Sequence, residues 1–267
     1  MPAPSELIER LAPDVAGAIR QRRGLQVRGH RPWPLPDAPW IMGQSWQRLL
    51  FAHWAVSPEA LRAVVHPRIP IDTFDGQAWI GVTPFTVTGL HFRVVPPLPV
   101  VSRFHEINVR TYSTVDGRPG IYFFSLDAAS RLAVEAARRV YRVPYFRAAI
   151  SVDRSGDRVR YESERVQGDG PPAAFRGEYG PVGPVANAVP GTFDHWCTER
   201  YCLYTVDDEQ RICRGEIHHP PWPLQPASLS VARNSMGAQI GLELTGEPTL
   251  HYAARQDVTF WPPAPLD

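Results

Sequence analysis

Residues 104–128 read FHEINVRTYSTVDGRPGIYFFSLDA, and the folding of this stretch decides where its charges go. Two runs of alternating character flank the turn dipeptide Asp116-Gly117, so the segment reads as a β-hairpin. Side chains alternate across a strand, which puts Phe104, Glu106, Asn108, Arg110 and Tyr112 on one face and Ile107 and Val109 on the other. With an even-numbered loop, even positions of the first strand oppose odd positions of the second. Ser125 and Asp127 then join Glu106, Asn108 and Arg110 on one surface; a bulge would break that match.

Facing water, a Glu–Arg pair on this strand would contribute only about 0–1 kcal/mol. The large aromatic neighbours Phe104, Tyr112, Phe123 and Phe124 argue for a pocket instead, because aromatic walls with a few convergent polar groups hold small ligands. In such a place Arg110 grips a carboxylate through parallel hydrogen bonds, and Glu106 serves as acid or base once burial raises its pKa.

The rest of the chain fits a barrel around this hairpin. Its 267 residues are 43% hydrophobic, enough for one large domain, and no linker or repeat divides them. Many strands with few helices predict an α+β protein built on a barrel or a strongly bent sheet. Residues 5–23 carry Leu7, Ile8, Leu11, Val15, Ala18 and Ile19 at helical spacing, an amphipathic helix broken or restarted near Pro13. Residues 1–40 are therefore expected as an N-terminal extension, proline-dense over 28–40, and 41–267 as a single barrel domain. Ser57-Pro58 reads as a helix start for 58–65. Strands are expected within 71–93, 145–152, 158–165, 199–206, 214–219 and 250–261. Helices are expected over 128–141 and 226–236, and a long Gly/Pro-rich loop over 168–191.

Composition excludes several classes. The net charge of +1 speaks against a nucleic-acid or membrane-surface partner, and no apolar run approaches the roughly 18 residues of a membrane span. The N-terminal stretch lacks the basic start and apolar block of a secretory signal. Cys197, Cys202 and Cys213 fit a reducing cytoplasm better than a disulfide framework. All 28 basic residues are arginine; with no lysine, no side-chain amine can form a Schiff base or hold pyridoxal phosphate. His218 and His219 are adjacent and face opposite sides of a strand, and Cys197 and Cys202 lack a second CxxC pair, so no metal is expected. The arginines at 138, 139, 142 and 147 read as a solvated helix face. No phosphate loop, GxGxxG or GxSxG occurs, and no cofactor is called for.

Six blocks together resemble the YqjF-like family of uncharacterised bacterial proteins, a domain of unknown function: MGQSWQRLLFAHW (42–54), IDTFDGQAWIGVTPF (71–85), HEINVRTY (105–112), GIYFFSLDA (120–128), ERYCLYT (199–205) and HHPPWPLQPA (218–227). The resemblance implies the acetoacetate decarboxylase-like fold, a mostly antiparallel, cone-shaped β barrel with a few flanking helices and a ligand site inside. In the decarboxylases a strand glutamate and an arginine handle the keto acid while paired lysines supply the Schiff base. The glutamate strand resembles the stretch holding Glu106. The lysine segment resembles VYRVPYFRA (140–148), which places Tyr145 and Phe146 where the lysines would lie. The fold is then inherited without the reaction.

The leading expectation is a barrel binding a small anionic molecule. Arg110 anchors it, Asn108 and Ser125 orient it, Glu106 with Asp127 completes the polar floor, and Tyr145 closes the pocket. The alternatives are a lysine-independent lyase or hydrolase with Glu106 as general acid/base, and a structural or partner-binding protein docking through its Arg-rich N-terminal helix.

Overall fold

In the computed structural model, residues 13–95, 102–131, 134–135, 141–166 and 170–266 are described. The strands are β1 (Met42–Val56), β2 (Ala78–Phe92), β3 (Phe104–Val115), β4 (Arg118–Ala128), β5 (Tyr145–Ser155), β6 (Arg158–Arg165), β7 (Ala174–Pro181), β8 (Cys202–Val206), β9 (Ile212–His218), β10 (Leu224–Asn234), β11 (Thr249–Phe260) and β12 (Ala264–Pro265). With them run the α-helices α1 (Pro13–Gly24), α2 (Pro58–Arg62) and α3 (Phe193–Thr198) and a 3-10 turn over Ala238–Ile240.

The strands β4-β3-β2-β1-β11 form a sheet that is closed twice. The free edge of β4 is split: Ile121 and Tyr122 pair with β8, whereas Leu126, Asp127 and Ala128 pair with β5, both in parallel. The free edge of β11 is split likewise between β10 and β9. Strand twist turns the two diagonals of such a sheet toward opposite faces. Strands β8 and β9 therefore close one ring, while β5, β6, β7 and β10 close a nine-strand barrel with the shared sheet. The other described pairings are antiparallel, as expected.

This double closure explains why β3 is buried on both faces from Glu106 to Tyr112. Ile107 and Val109 join Tyr161, Phe175 and Tyr179 in one core cluster, on the β6–β7 side. The even-numbered residues look the other way, toward β8 and β9.

The turn at Asp116-Gly117 has positive φ at both residues (52° and 71°), the two-residue hairpin geometry that an Asp-Gly pair favours. Asp75-Gly76 adopts the same left-handed pair. Ser57 caps α2 by accepting from the Ala60 amide, with Pro58 in the first turn. The β5–β6 hairpin turns at Gly156.

Other expectations are corrected. The segment 168–191 is not one long loop: it contains β7. The glycines of β7 permit close approach rather than a turn, since a Cβ on Gly180 would sit 2.8 Å from the Asp157 carbonyl and one on Gly177 3.0 Å from that of Ser230. The helix expected over 226–236 is instead β10, because its backbone pairs with β7 from Ala227 to Asn234. The helix over 128–141 falls largely on positions outside the described residues, although Arg131, Val134, Glu135 and Tyr141 are helical.

Of the helix expected over 5–23, Leu7, Ile8 and Leu11 lie outside the described residues; from Pro13 on, α1 buries a different face from the apolar one read in the sequence. Val15 and Ile19 are exposed, whereas Ala16, Gly17 and Gln21 face the barrel. Small residues win because Gly17 lets the helix approach Gly89, and Gln21 donates to Ser45 and to the Gly89 carbonyl. Further along, Arg31 donates to the Ile217 carbonyl and pairs with Glu216, and Trp261 donates to the Ala38 carbonyl. Truncation to residue 41 is expected to lower the melting temperature, by about 2–4 °C per kcal/mol lost. An unchanged melting temperature would mean that these contacts contribute nothing.

Candidate functional site

The even face of β3 lines a cavity of about 250 Å³ enclosed by β1, β2, β3, β4, β8, β9 and the end of β11. Two irregularities shape it. On β1 the alternation changes parity at Arg48, whose φ is 52°, so Met42, Gln44 and Trp46 line the cavity before the change and Leu49 after it. On β4 a bulge between the Val109 and Arg110 pairings does the same, bringing Ile121 and Phe123 and then Leu126 inside.

That second bulge overturns one expectation. Ser125 now pairs with Val109 and Asp127 with Ile107, so both face the opposite side of the sheet from Glu106. There Asp127 receives two hydrogen bonds from Arg165, at 2.6 and 2.7 Å, and Ser125 accepts one from Gln239 at 3.0 Å. Phe146 lies beneath Arg165, its ring centre 3.8 Å from the guanidinium carbon. Asp127 and Ser125 are parts of a buried scaffold, not lining residues of the cavity.

Glu106, Asn108, Arg110 and Tyr145 do line it. The Tyr145 hydroxyl donates to Glu106 at 2.8 Å. Burial pushes the Glu106 carboxyl up from its ordinary 4.5 to about 7, against the pull of hydrogen bonds from Tyr145 and Asn108, with the charge of Asp127 adding a smaller push upward. Burial, and the same carboxylate, hold the Tyr145 phenol well above its usual range. Glu106 is thus half-ionised near neutral pH.

A stability consequence follows from the sign of that shift. A carboxyl with a raised folded-state pKa contributes stability below about pH 4.5 that is lost as pH rises through about 7. Glu106→Gln is expected to remove this dependence, gaining about 3 kcal/mol relative to wild type above pH 7 and nothing near pH 4. Urea unfolding at several pH values measures it; parallel curves would refute the shift.

Arg110 sits four positions along β3 from Glu106, about 13 Å at strand rise, and is not paired with it. Among the described residues it makes no ion pair. Its guanidinium carbon is 4.9 Å from the Phe51 ring centre, and its Nε and Nη2 are buried with no hydrogen-bond partner. A cation–π contact offsets only part of the cost of burying a charge. Behind it, the Tyr112 hydroxyl and His53 Nε2 lie 2.5 Å apart. Burial and Arg110 keep His53 well below its usual pKa, so it is neutral and adds no second charge. Gly81, opposite Arg110 on β2, makes the room: a Cβ there would lie 3.2 Å from His53 and 3.3 Å from Arg110.

Sequence reading missed Thr83, which pairs directly with Asn108 and lines the cavity with its hydroxyl unpartnered. The alternation of Thr83 and Phe85 in VTPFTV was the available signal. Apart from Gln44 and Tyr141, the remaining walls are apolar, among them Trp46, Phe85, Phe123, Leu126, Leu203 and Phe260. Phe92, 45% exposed, marks the outer end; strand pairing puts Arg110 at the end away from it.

Other candidate groups lie elsewhere. His218 meets the Gly24 carbonyl, and His219 those of Arg200 and Pro220. Cys197, Cys202 and Cys213 are buried free thiols. No cluster of three metal-ligating side chains occurs among the described residues, and no helix among them is long and apolar enough to cross a membrane.

A model for the DUF2071 family, described as an uncharacterized conserved protein, matches residues 43–257. The uncharacterized protein YqjF of Bacillus subtilis strain 168 is 44% identical over 229 residues, which are 85% of this chain and 93% of that relative. Among solved structures, the enduracididine biosynthesis enzyme MppR complexed with pyruvate superposes with a TM-score of 0.59 at 14% identity, covering 88% of this chain and 93% of that one. An acetoacetate decarboxylase superposes with a TM-score of 0.56 at 12% identity, covering 86% and 90%. At such identities the likeness is one of architecture, and the fold is acetoacetate decarboxylase-like.

Proposed function

The chain belongs to the DUF2071 family of uncharacterized conserved proteins, and from that premise we propose that it binds a small carboxylic acid in the barrel cavity, with Arg110 as the anchor. The observation that carries this reading is the buried guanidinium, two of whose nitrogens lack partners while lining an enclosed space. Leaving such a charge unpaired is costly, and a carboxylate accepting two parallel hydrogen bonds removes the cost. Asn108 orients the ligand and Tyr145 holds Glu106 at the cavity wall. The pyruvate complex of MppR, a protein of like fold, supports a small-acid occupant. The chemistry differs from a Schiff-base enzyme, because the chain contains no lysine.

The test is a thermal-shift screen of small carboxylic acids, each against its uncharged amide. Acids are expected to raise the melting temperature and the amides to leave it unchanged. A flat response to every acid sinks the reading. Binding is also expected to weaken as pH rises through about 7, where Glu106 becomes an anion, since a second negative charge in the cavity opposes the ligand's own.

A second reading is favoured by the Glu106 pKa near 7 beside a hydrogen-bonded phenol: a general acid/base poised at neutral pH. The enzyme so described moves a proton on a bound acid, as in hydration or enolisation. Glu106→Gln should then retain acid binding and lose turnover; loss of both together would place Glu106 in binding alone.

A further inference from the structure

Resting on the anchor role of Arg110, the unfilled hydrogen-bonding groups around it specify what adjoins the ligand's carboxylate. Three side chains within one patch of the β2–β3 ladder have polar atoms that are buried, face the cavity and lack a partner: Arg110 Nε and Nη2, Thr83 Oγ1 and Asn108 Oδ1. Thr83 and Asn108 are direct cross-strand partners, and Arg110 follows Asn108 by two residues on the same face. The roles are fixed by chemistry. Arginine only donates. Asn108 Oδ1 is the atom left without a partner, and the Asn108 hydrogen bond to Glu106 favours the ionised carboxylate, so the NH₂ points toward Glu106 and the carbonyl oxygen is a bare acceptor. Thr83 both donates and accepts.

A carboxylate on Arg110 satisfies the guanidinium but not Asn108. The group next to it must donate to Asn108 Oδ1 and accept from Thr83, which a hydroxyl does and a ketone oxygen does not. A keto acid would set its oxygen lone pairs against the Asn108 carbonyl. The rest of the cavity limits the body of the ligand. Among the described residues its charged lining side chains are Arg110 and Glu106, which offer one cation for one carboxylate. Trp46, Phe85, Phe123 and Phe260 supply apolar walls. The cavity, of about 250 Å³, suits a compact ligand. We propose that the site selects a monocarboxylic 2-hydroxy acid with a compact apolar side chain, the hydroxyl read by Asn108 and Thr83.

The experiment is calorimetric titration of the purified full chain with four acids: 2-hydroxy-4-methylpentanoate, its 2-oxo analogue, 4-methylpentanoate and malate. The hydroxy acid, one hand favoured, is expected to bind at least tenfold more tightly than each of the other three. Asn108→Ala should erase the preference over 4-methylpentanoate while leaving that acid's own affinity within about threefold. Should that variant fail to fold, Thr83→Val, nearly equal in shape, must weaken the hydroxy acid more than the unsubstituted one. Equal or tighter binding of the oxo acid or malate overturns the inference. So does a hydroxyl preference that survives both substitutions. If other acids bind and these four do not, the hydroxy-acid assignment falls and the Arg110 anchor stands. Silence to every carboxylic acid removes both.

Discussion

Arg110→Met is expected to abolish the stabilisation by small acids proposed above and to leave the protein at least as stable as wild type. The two halves of this result come from one cause. Arg110 is buried, without an ion pair among the described residues, and has two nitrogens lacking hydrogen bonds. Removing an uncompensated buried charge relieves a desolvation cost, and methionine fills similar space beside Phe51. Binding, however, loses a charge-assisted contact, which in desolvated sites is worth about 2–5 kcal/mol, or roughly thirtyfold to several thousandfold in affinity. Thermal unfolding with and without an acid measures both halves. A guanidinium serving structure alone gives the opposite pattern: a large loss of stability and an unchanged ligand response.

The second large effect is expected on the other side of the same strands. Asp127→Ala leaves Arg165 buried without its carboxylate, and breaking a buried pair in this way costs about 3–5 kcal/mol, roughly 10 °C in melting temperature for a domain of this size. Arg165 keeps the Gln239 and Pro171 oxygens as neutral acceptors, which limits the loss but does not neutralise the charge. The double variant Asp127→Leu/Arg165→Met removes both charges and is expected to recover most of the lost stability, giving a coupling that a double-mutant cycle reads directly. The folded Asp127 variant should retain acid binding, because Asp127 faces away from the cavity. Additive losses, or a selective loss of ligand response at unchanged stability, would return Asp127 to the binding site.

The two predictions separate residues that looked equivalent in the hairpin sequence. Glu106, Asn108 and Arg110 were placed together correctly because strand alternation is a local steric property of β3, and no irregularity interrupts its pairing with β2. Ser125 and Asp127 were misplaced because one extra residue on β4 exchanges its faces. Nothing in YFFSLD marks that residue, since all its members suit either side of a strand buried on both faces. Tyr145 reached the expected place and hydrogen-bonds Glu106. Thr83 and His53 went unread because their proximity to Asn108 and Arg110 depends on cross-strand register.

By itself the sequence determined a strand-rich α+β chain, the turns at Asp75-Gly76 and Asp116-Gly117, the absence of lysine and the shared face of Glu106, Asn108 and Arg110. These follow from side-chain inventory and from conformational preferences spanning a few residues. Only the tertiary structure decided that the face looks into a cavity, that β4 and β11 divide their edges between two ring closures, and which helix face docks on the barrel. Those outcomes depend on contacts between residues far apart in the chain, where twist, bulges and the room left by missing side chains set the register.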